Sequence, residues 1–242
     1  MAQTKTPTRP NPDPVLELLK PTDDLAPFLE QTLLRPEATL EDIEQCCAGA
    51  RLHRFHAVCV HGSWVVQARH LLEGSGVKVV TVVGFPLGAS DPDTKRFETE
   101  AAIDNGAHEI DVVLHLGRLK DADDAYVLRE LRDIVDAADE HPVKVILETC
   151  LLTREEKVRA CRLVLESGAQ FVKTSTGFGS GGATVADVRL LRETVGDQLG
   201  VKAAGGIRDR QTALAMIEAG ATRLGTSSGA AIVGDSPAPT PA

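Results

Sequence analysis

Short runs of β-branched and aliphatic residues recur along the chain, and each is followed by a stretch in which apolar positions return every three or four residues. The first kind reads as buried strand, the second as helix with one face against a sheet. Eight strands are expected at 29–33, 57–60, 77–84, 109–115, 143–150, 171–177, 200–205 and 223–226. Helices are expected near 40–52, 63–73, 93–105, 122–139, 154–167, 185–195 and 209–219, with a short one after Ser228. In the stretch 122–139, Val127, Leu128, Leu131, Ile134, Val135 and Ala138 share one helical face and should lie on the sheet. Thr39, Thr153 and Thr184 each stand three positions before an acid (Asp42, Glu156, Asp187), the pattern of a capped helix start. A Gly-Ala pair ends three helices, at 106–107, 168–169 and 220–221, where a left-handed glycine stops the helix. Such alternation implies parallel strands joined by right-handed crossovers. It suits a single (β/α)8 TIM barrel, with chemistry at the C-terminal ends of the strands. A doubly wound open sheet is not excluded by alternation alone.

The length of 242 residues fits one such domain. Residues 1–24, with prolines at 7, 10, 12 and 14, read as a disordered or loosely helical leader, 25–233 as the barrel and 234–242 as a flexible tail. A formal charge of −9, from 35 acidic and 26 basic residues, speaks against a nucleic-acid partner. Apolar runs fall far short of the roughly 20 residues that span a bilayer, so no membrane association is expected. The polar first residues do not form a secretory signal. The five cysteines are odd in number and lack Cys-x-x-Cys spacing, so neither a disulfide framework nor a zinc site is expected, and reduced thiols in the cytoplasm fit best. Each reads as a small buried hydrophobe; Cys59, if it faced the barrel mouth, would be open to reactive aldehydes.

Candidate chemistry centres on the strand containing Lys173, a lysine in the middle of Phe-Val-Lys-Thr-Ser-Thr-Gly. Lysine is seldom buried unless paired, and a strand-end lysine ordinarily snorkels to water. Twenty-nine positions later, Lys202 stands in a strand of the same design, Gly-Val-Lys-Ala-Ala-Gly-Gly. On neighbouring barrel strands the two ammonium groups would face one interior and repel, which frees one amine to act as a nucleophile on a carbonyl. Asp111 and Glu148 add acids from two further strands. Gly205-Gly206 and Thr226-Ser227-Ser228-Gly229, after the last two strands, offer backbone N–H groups and hydroxyls suited to a phosphate dianion.

These segments, together with 144–149 and the Gly-Gly-Ile-Arg run at 205–208, resemble the signature strands of the 2-deoxyribose-5-phosphate aldolases, class I enzymes that use no metal or cofactor. The resemblance runs in order from about Phe28 to about Val233. It implies the closed barrel, a homodimer, and a phosphorylated sugar and an aldehyde as small-molecule partners. It implies Lys173 as the Schiff-base residue, with Lys202 and Asp111 moving protons and Lys202 keeping Lys173 partly neutral. Gly177, Gly205, Gly206, Ser227 and Ser228 would surround the phosphate, Arg208 would stand at the rim, and Thr32 and Thr176 would contact the sugar. Glu148 is either a catalytic acid or a fixed counter-ion, and His115 a hydrogen-bonded loop residue. The chain departs from the family at Glu30-Gln31-Thr32-Leu33-Leu34-Arg35, where Asp-His-Thr-Leu-Leu-Lys is usual, and at His61-Gly62, where Asn-Pro is frequent. Other Schiff-base aldolases, a non-catalytic sugar-phosphate-binding barrel and a phosphate-binding isomerase or decarboxylase are the competing readings.

Overall fold

The computed structural model describes residues 24–234, so the leader and the tail lie, but for Asp24 and Gly234, outside the described residues. Eight parallel strands, β1 (Leu29–Leu33), β2 (Ala57–Val60), β3 (Lys78–Val83), β4 (Glu109–Val113), β5 (Val143–Ile146), β6 (Phe171–Lys173), β7 (Gly200–Ala204) and β8 (Arg223–Thr226), close into one barrel in chain order. The seam pairs β1 with β8, Leu29 opposite Leu224 and Glu30 opposite Gly225. Around it run α1 (Leu40–His53), α2 (Val65–Leu71), α3 (Pro92–Asp104), α4 (Leu116–Lys120), α5 (Asp124–Ala137), α6 (Arg154–Ser167), α7 (Val185–Val195), α8 (Arg210–Glu218) and α9 (Gly229–Val233). Closure removes the open-sheet alternative.

Local chemistry sets these boundaries. Thr39 and Thr153 complete reciprocal capping boxes with Asp42 and Glu156, whereas Thr184 accepts from the Asp187 N–H without the return bond. Gly106, Gly168 and Gly220 take the positive φ of a helix stop. Along α5, Val127, Leu131 and Ile134, with Ala138 at its end, are fully buried, and Leu128 and Val135 pack beside them. Full burial of one such aliphatic side chain is worth about 1.5–3 kcal/mol.

The strands are shorter at the chemistry-bearing end than their composition suggests. β5 stops at Ile146, because Glu148 takes a left-handed backbone (φ 50°) and leads into a 3₁₀ turn at Thr149–Leu151. β6 stops at Lys173, and the Thr174 hydroxyl beyond it donates to the Ala204 carbonyl and accepts from the Ala204 N–H, each at 3.1 Å. Side-chain bonds thus supplement the backbone where the loops begin, with the Thr174 N–H still donating to the Lys202 carbonyl at 3.0 Å. β4 ends at Val113, and His115, expected in the strand, instead caps α4, a helix the apolar pattern does not announce.

The barrel interior divides in two. Ala57, Cys59, Val80 and Val82 form an apolar wall with Leu34 and Phe85. Opposite stand Glu30, Glu109, Asp111, Lys144, Lys173 and Lys202, each at most 3% exposed. A separate buried ion pair lies outside the barrel, where Lys95 of α3 reaches Glu130 of α5 at 2.8 Å and the Val113 carbonyl at 3.0 Å.

Candidate active site

Strand register assembles the site. Lys173 and Lys202 are direct partners across β6 and β7, so both side chains leave the same face, and Asp111 is likewise opposite Lys144 across β4 and β5. Asp111 Oδ2 accepts from Lys173 Nζ at 2.8 Å and from Lys202 Nζ at 2.6 Å, while its Oδ1 accepts from Lys144 Nζ at 2.9 Å. Lys202 also donates to Glu30 Oε2, reaching across β8 where Gly225 leaves room: a Cβ there would stand 3.2 Å from Lys202 Cε.

Burial pushes the Asp111 carboxyl upward, but the ammonium groups of Lys144, Lys173 and Lys202 outweigh it and hold it well below the ordinary carboxylate range. Burial likewise presses Lys202 and Lys144 downward, and their carboxylate neighbours win, Asp111 and Glu30 for Lys202, Asp111, Glu109 and Glu30 for Lys144. Both are held as cations.

A cavity of about 390 Å³ opens over this centre, and of the three interior lysines it is Lys173 that lines it. Thr32, Thr176, Gly177, Gly205, Gly206, Arg208 and Ser227 line it as well, bringing together every expected binding residue except Ser228. The Ser228 N–H is bonded to the Thr226 hydroxyl at 2.9 Å, and the Gly229 N–H to Gln31 Oε1 at 3.0 Å. These two donors are therefore satisfied within the chain. A larger cavity of about 1040 Å³, beside His61, Trp64, Phe85 and Phe97, contains none of the lysines. The two share Arg35, and the T-shaped pair Phe85–Phe178, centroids 5.3 Å apart, stands between them.

The profile of the DeoC/LacD family aldolases matches residues 20–234. The chain belongs to this aldolase family. It is 55% identical over 212 residues to the deoxyribose-phosphate aldolase of Geobacillus sp. (strain WCH70), covering 87% of this chain and 95% of that protein. It is 56% identical over 206 residues to that of Brevibacillus brevis, with 85% and 93% covered. Among solved structures, the tetrameric deoxyribose phosphate aldolase of Aeropyrum pernix superposes with a TM-score of 0.82 at 35% identity, covering 88% of this chain and 91% of that one. The aldolase QR15 does so with a TM-score of 0.84 at 38% identity, covering 87% and 94%.

Within this aldolase frame, several side chains stand elsewhere than their residue types suggest. Glu148 faces the loop after β6, not the lysines: it accepts from the Thr176 hydroxyl, through Oε2, and from the Thr176 N–H at 3.4 Å. The Thr176 hydroxyl also accepts from the Phe178 N–H at 3.0 Å, so it braces the loop before it can meet a sugar. His115 accepts from the Arg118 N–H at 3.4 Å, as a loop residue would. Cys59 lies in the apolar wall and burial pushes its thiol up to about 11, which leaves it protonated. Cys150 is the reverse, exposed beside Glu148 rather than buried. Lys144 and Glu109 belong to the ionised interior although the sequence did not single them out. The available signal was Lys144 at the head of a short apolar run, a position more often occupied by a snorkelling lysine.

Proposed function

We propose that this protein is a class I aldolase that reversibly cleaves 2-deoxy-D-ribose 5-phosphate to D-glyceraldehyde 3-phosphate and acetaldehyde. The observation that carries the reading is Lys173 at the floor of the cavity, with the carboxylate oxygen it touches shared by a second, fixed ammonium group. The amine adds to the C1 aldehyde of the open-chain sugar, and loss of water gives an iminium ion, an electron sink. Asp111, through water, takes the proton of the C3 hydroxyl as the C2–C3 bond breaks, and the Lys202 ammonium group on the same carboxylate oxygen takes part as the donor of that relay. Glyceraldehyde 3-phosphate leaves, C2 of the enamine is protonated, and water hydrolyses the iminium to acetaldehyde and free Lys173. Gly205, Gly206, Ser227 and Arg208 hold the phosphate, and Thr32 lies against the sugar.

The reading includes a homodimer, measurable as twice the chain mass by light scattering, and residence in the cytoplasm. No helix among the described residues is long and apolar enough to cross a membrane. Borohydride reduction with acetaldehyde present, followed by peptide mass spectrometry, tests the chemistry. An ethyl adduct on Lys173, absent from Lys173→Ala, together with a loss of cleavage on the order of 10⁴-fold or more in that variant, is the expected result. No adduct, with sugar phosphate still raising Tm, would replace the aldolase by a binding barrel.

A further inference from the structure

Beneath the reacting lysine the interior remains charged down to the opposite rim of the barrel. Lys144 Nζ lies 2.6 Å from Glu109 Oε2, 2.9 Å from Asp111 Oδ1 and 3.7 Å from Glu30 Oε1. Glu109 is closed from below by His56 Nε2 at 3.2 Å and Lys78 Nζ at 3.1 Å, both on Oε1. Lys144 is fully buried and does not line the cavity, so no step of the cleavage uses it directly. Burying an ammonium group still costs several kcal/mol before its partners offset it.

We propose that Lys144 is a positioning residue for the aldol reaction: it pins Asp111 through Oδ1, so that Oδ2 faces Lys173 and Lys202, and its charge sets how readily Lys173 releases a proton. This deepens the aldolase reading and rests on it. A carboxylate held at one oxygen by Lys144 keeps the other available to the lysine pair, whereas a freed Asp111 could turn both oxygens toward them. The charges facing Lys144 are Glu109 and Asp111 from β4 and Glu30 from β1. Beyond those shared carboxylates stand Lys173 of β6 and Lys202 of β7, and His56 and Lys78 meet Glu109 from its far side. The interior thus sets three carboxylates against three ammonium groups. With Lys144 removed, three carboxylates face two cations, and the excess negative charge holds the proton on Lys173. The protonated amine is not a nucleophile.

The test is the pH profile of kcat/KM for sugar-phosphate cleavage in the parent, Lys144→Met, Glu109→Gln and the double variant. The acid limb is expected to move to higher pH in Lys144→Met by about 1–3 units and to lower pH in Glu109→Gln. The double variant, which loses one cation and one anion, should return toward the parent. The Lys173 adduct should still form in every variant at alkaline pH. A folded Lys144→Met whose rate falls by one factor at every pH would overturn the proposal, as would a double variant displaced as far as the single one. If Lys144→Met fails to fold, Glu109→Gln decides alone, and an unmoved limb overturns the proposal. A missing adduct in the parent would instead strike the aldolase reading, so the two failures are distinct.

Discussion

Two buried ionic groups in this molecule use the same residue types and end in opposite states. Between α3 and α5, burial presses Lys95 downward and Glu130 upward, and each partner offsets only part of that. In the barrel, burial is outweighed: Asp111 and Glu109 are pulled down and Lys144 and Lys202 up. The difference lies in the number of partners. An ion pair near 2.9 Å is worth roughly 6 kcal/mol at an effective dielectric constant of about 20, comparable with the several kcal/mol lost on burying one ion. Lys95 has one carboxylate in contact and a backbone carbonyl, whereas Asp111 has three ammonium groups. A single pair supports packing, and a mesh of partners keeps charges ionised where a reaction can use them.

The largest test of this contrast is Asp111→Asn. It removes the charge from the shared hub and should lower kcat by about 10²–10⁴-fold in a steady-state assay. Leaving Lys144 and Lys202 short of a counter-ion should also cost about 3–5 kcal/mol in denaturant unfolding. The pH dependence has a defined sign. A carboxyl held below its unfolded value contributes stability that is present above the ordinary carboxylate range and is lost as pH falls through its folded value. The parent should therefore lose Tm on acidification below about pH 4, and Asp111→Asn should flatten that descent. Glu130, raised in the fold, has the opposite sign and becomes less favourable as pH rises through its folded value.

A middle-sized effect is expected outside the barrel. Lys95→Met alone strands Glu130 and should cost about 3–5 kcal/mol, while Lys95→Met/Glu130→Leu should recover most of that loss, with kcat per folded molecule unchanged. Failure of the double variant to recover would mean that the pair does more than fill space. The smallest effect belongs to Glu148→Gln. Weakening the hold on Thr176 should raise KM by about 2- to 10-fold, read from initial rates, with little change in kcat.

How far the sequence reveals this arrangement follows from the kind of signal each part carries. The barrel is legible because eight apolar runs and their intervening helices repeat one unit, with Gly106, Gly168 and Gly220 marking the joints. Lys173, Lys202 and Asp111 are legible as charges inside such runs. The ends of β5 and β6 are not, because a left-handed Glu148 turns the chain and the Thr174 hydroxyl takes up bonds to Ala204 without changing the composition of the runs. Lys144 is not singled out and Glu30 stands out only as a departure from the family pattern, since their partners come from other strands and period-two alternation says nothing of who lies across the barrel. The orientation of Glu148 toward Thr176 is equally hidden, being a contact between two loops.

The Glu30–Lys202 bond has a further consequence, one of time. It joins positions 172 residues apart, across the seam where the last strand meets the first. At ribosomal speeds of about 5–20 residues per second, roughly 10–35 s separate the synthesis of the two partners. In a nascent chain ending before β8, β4 to β7 already carry Asp111 and its three lysines, but Lys202 still lacks the Glu30 contact that the closed seam provides. The last contact of the ionic mesh therefore forms at the end of synthesis, when the whole barrel shuts.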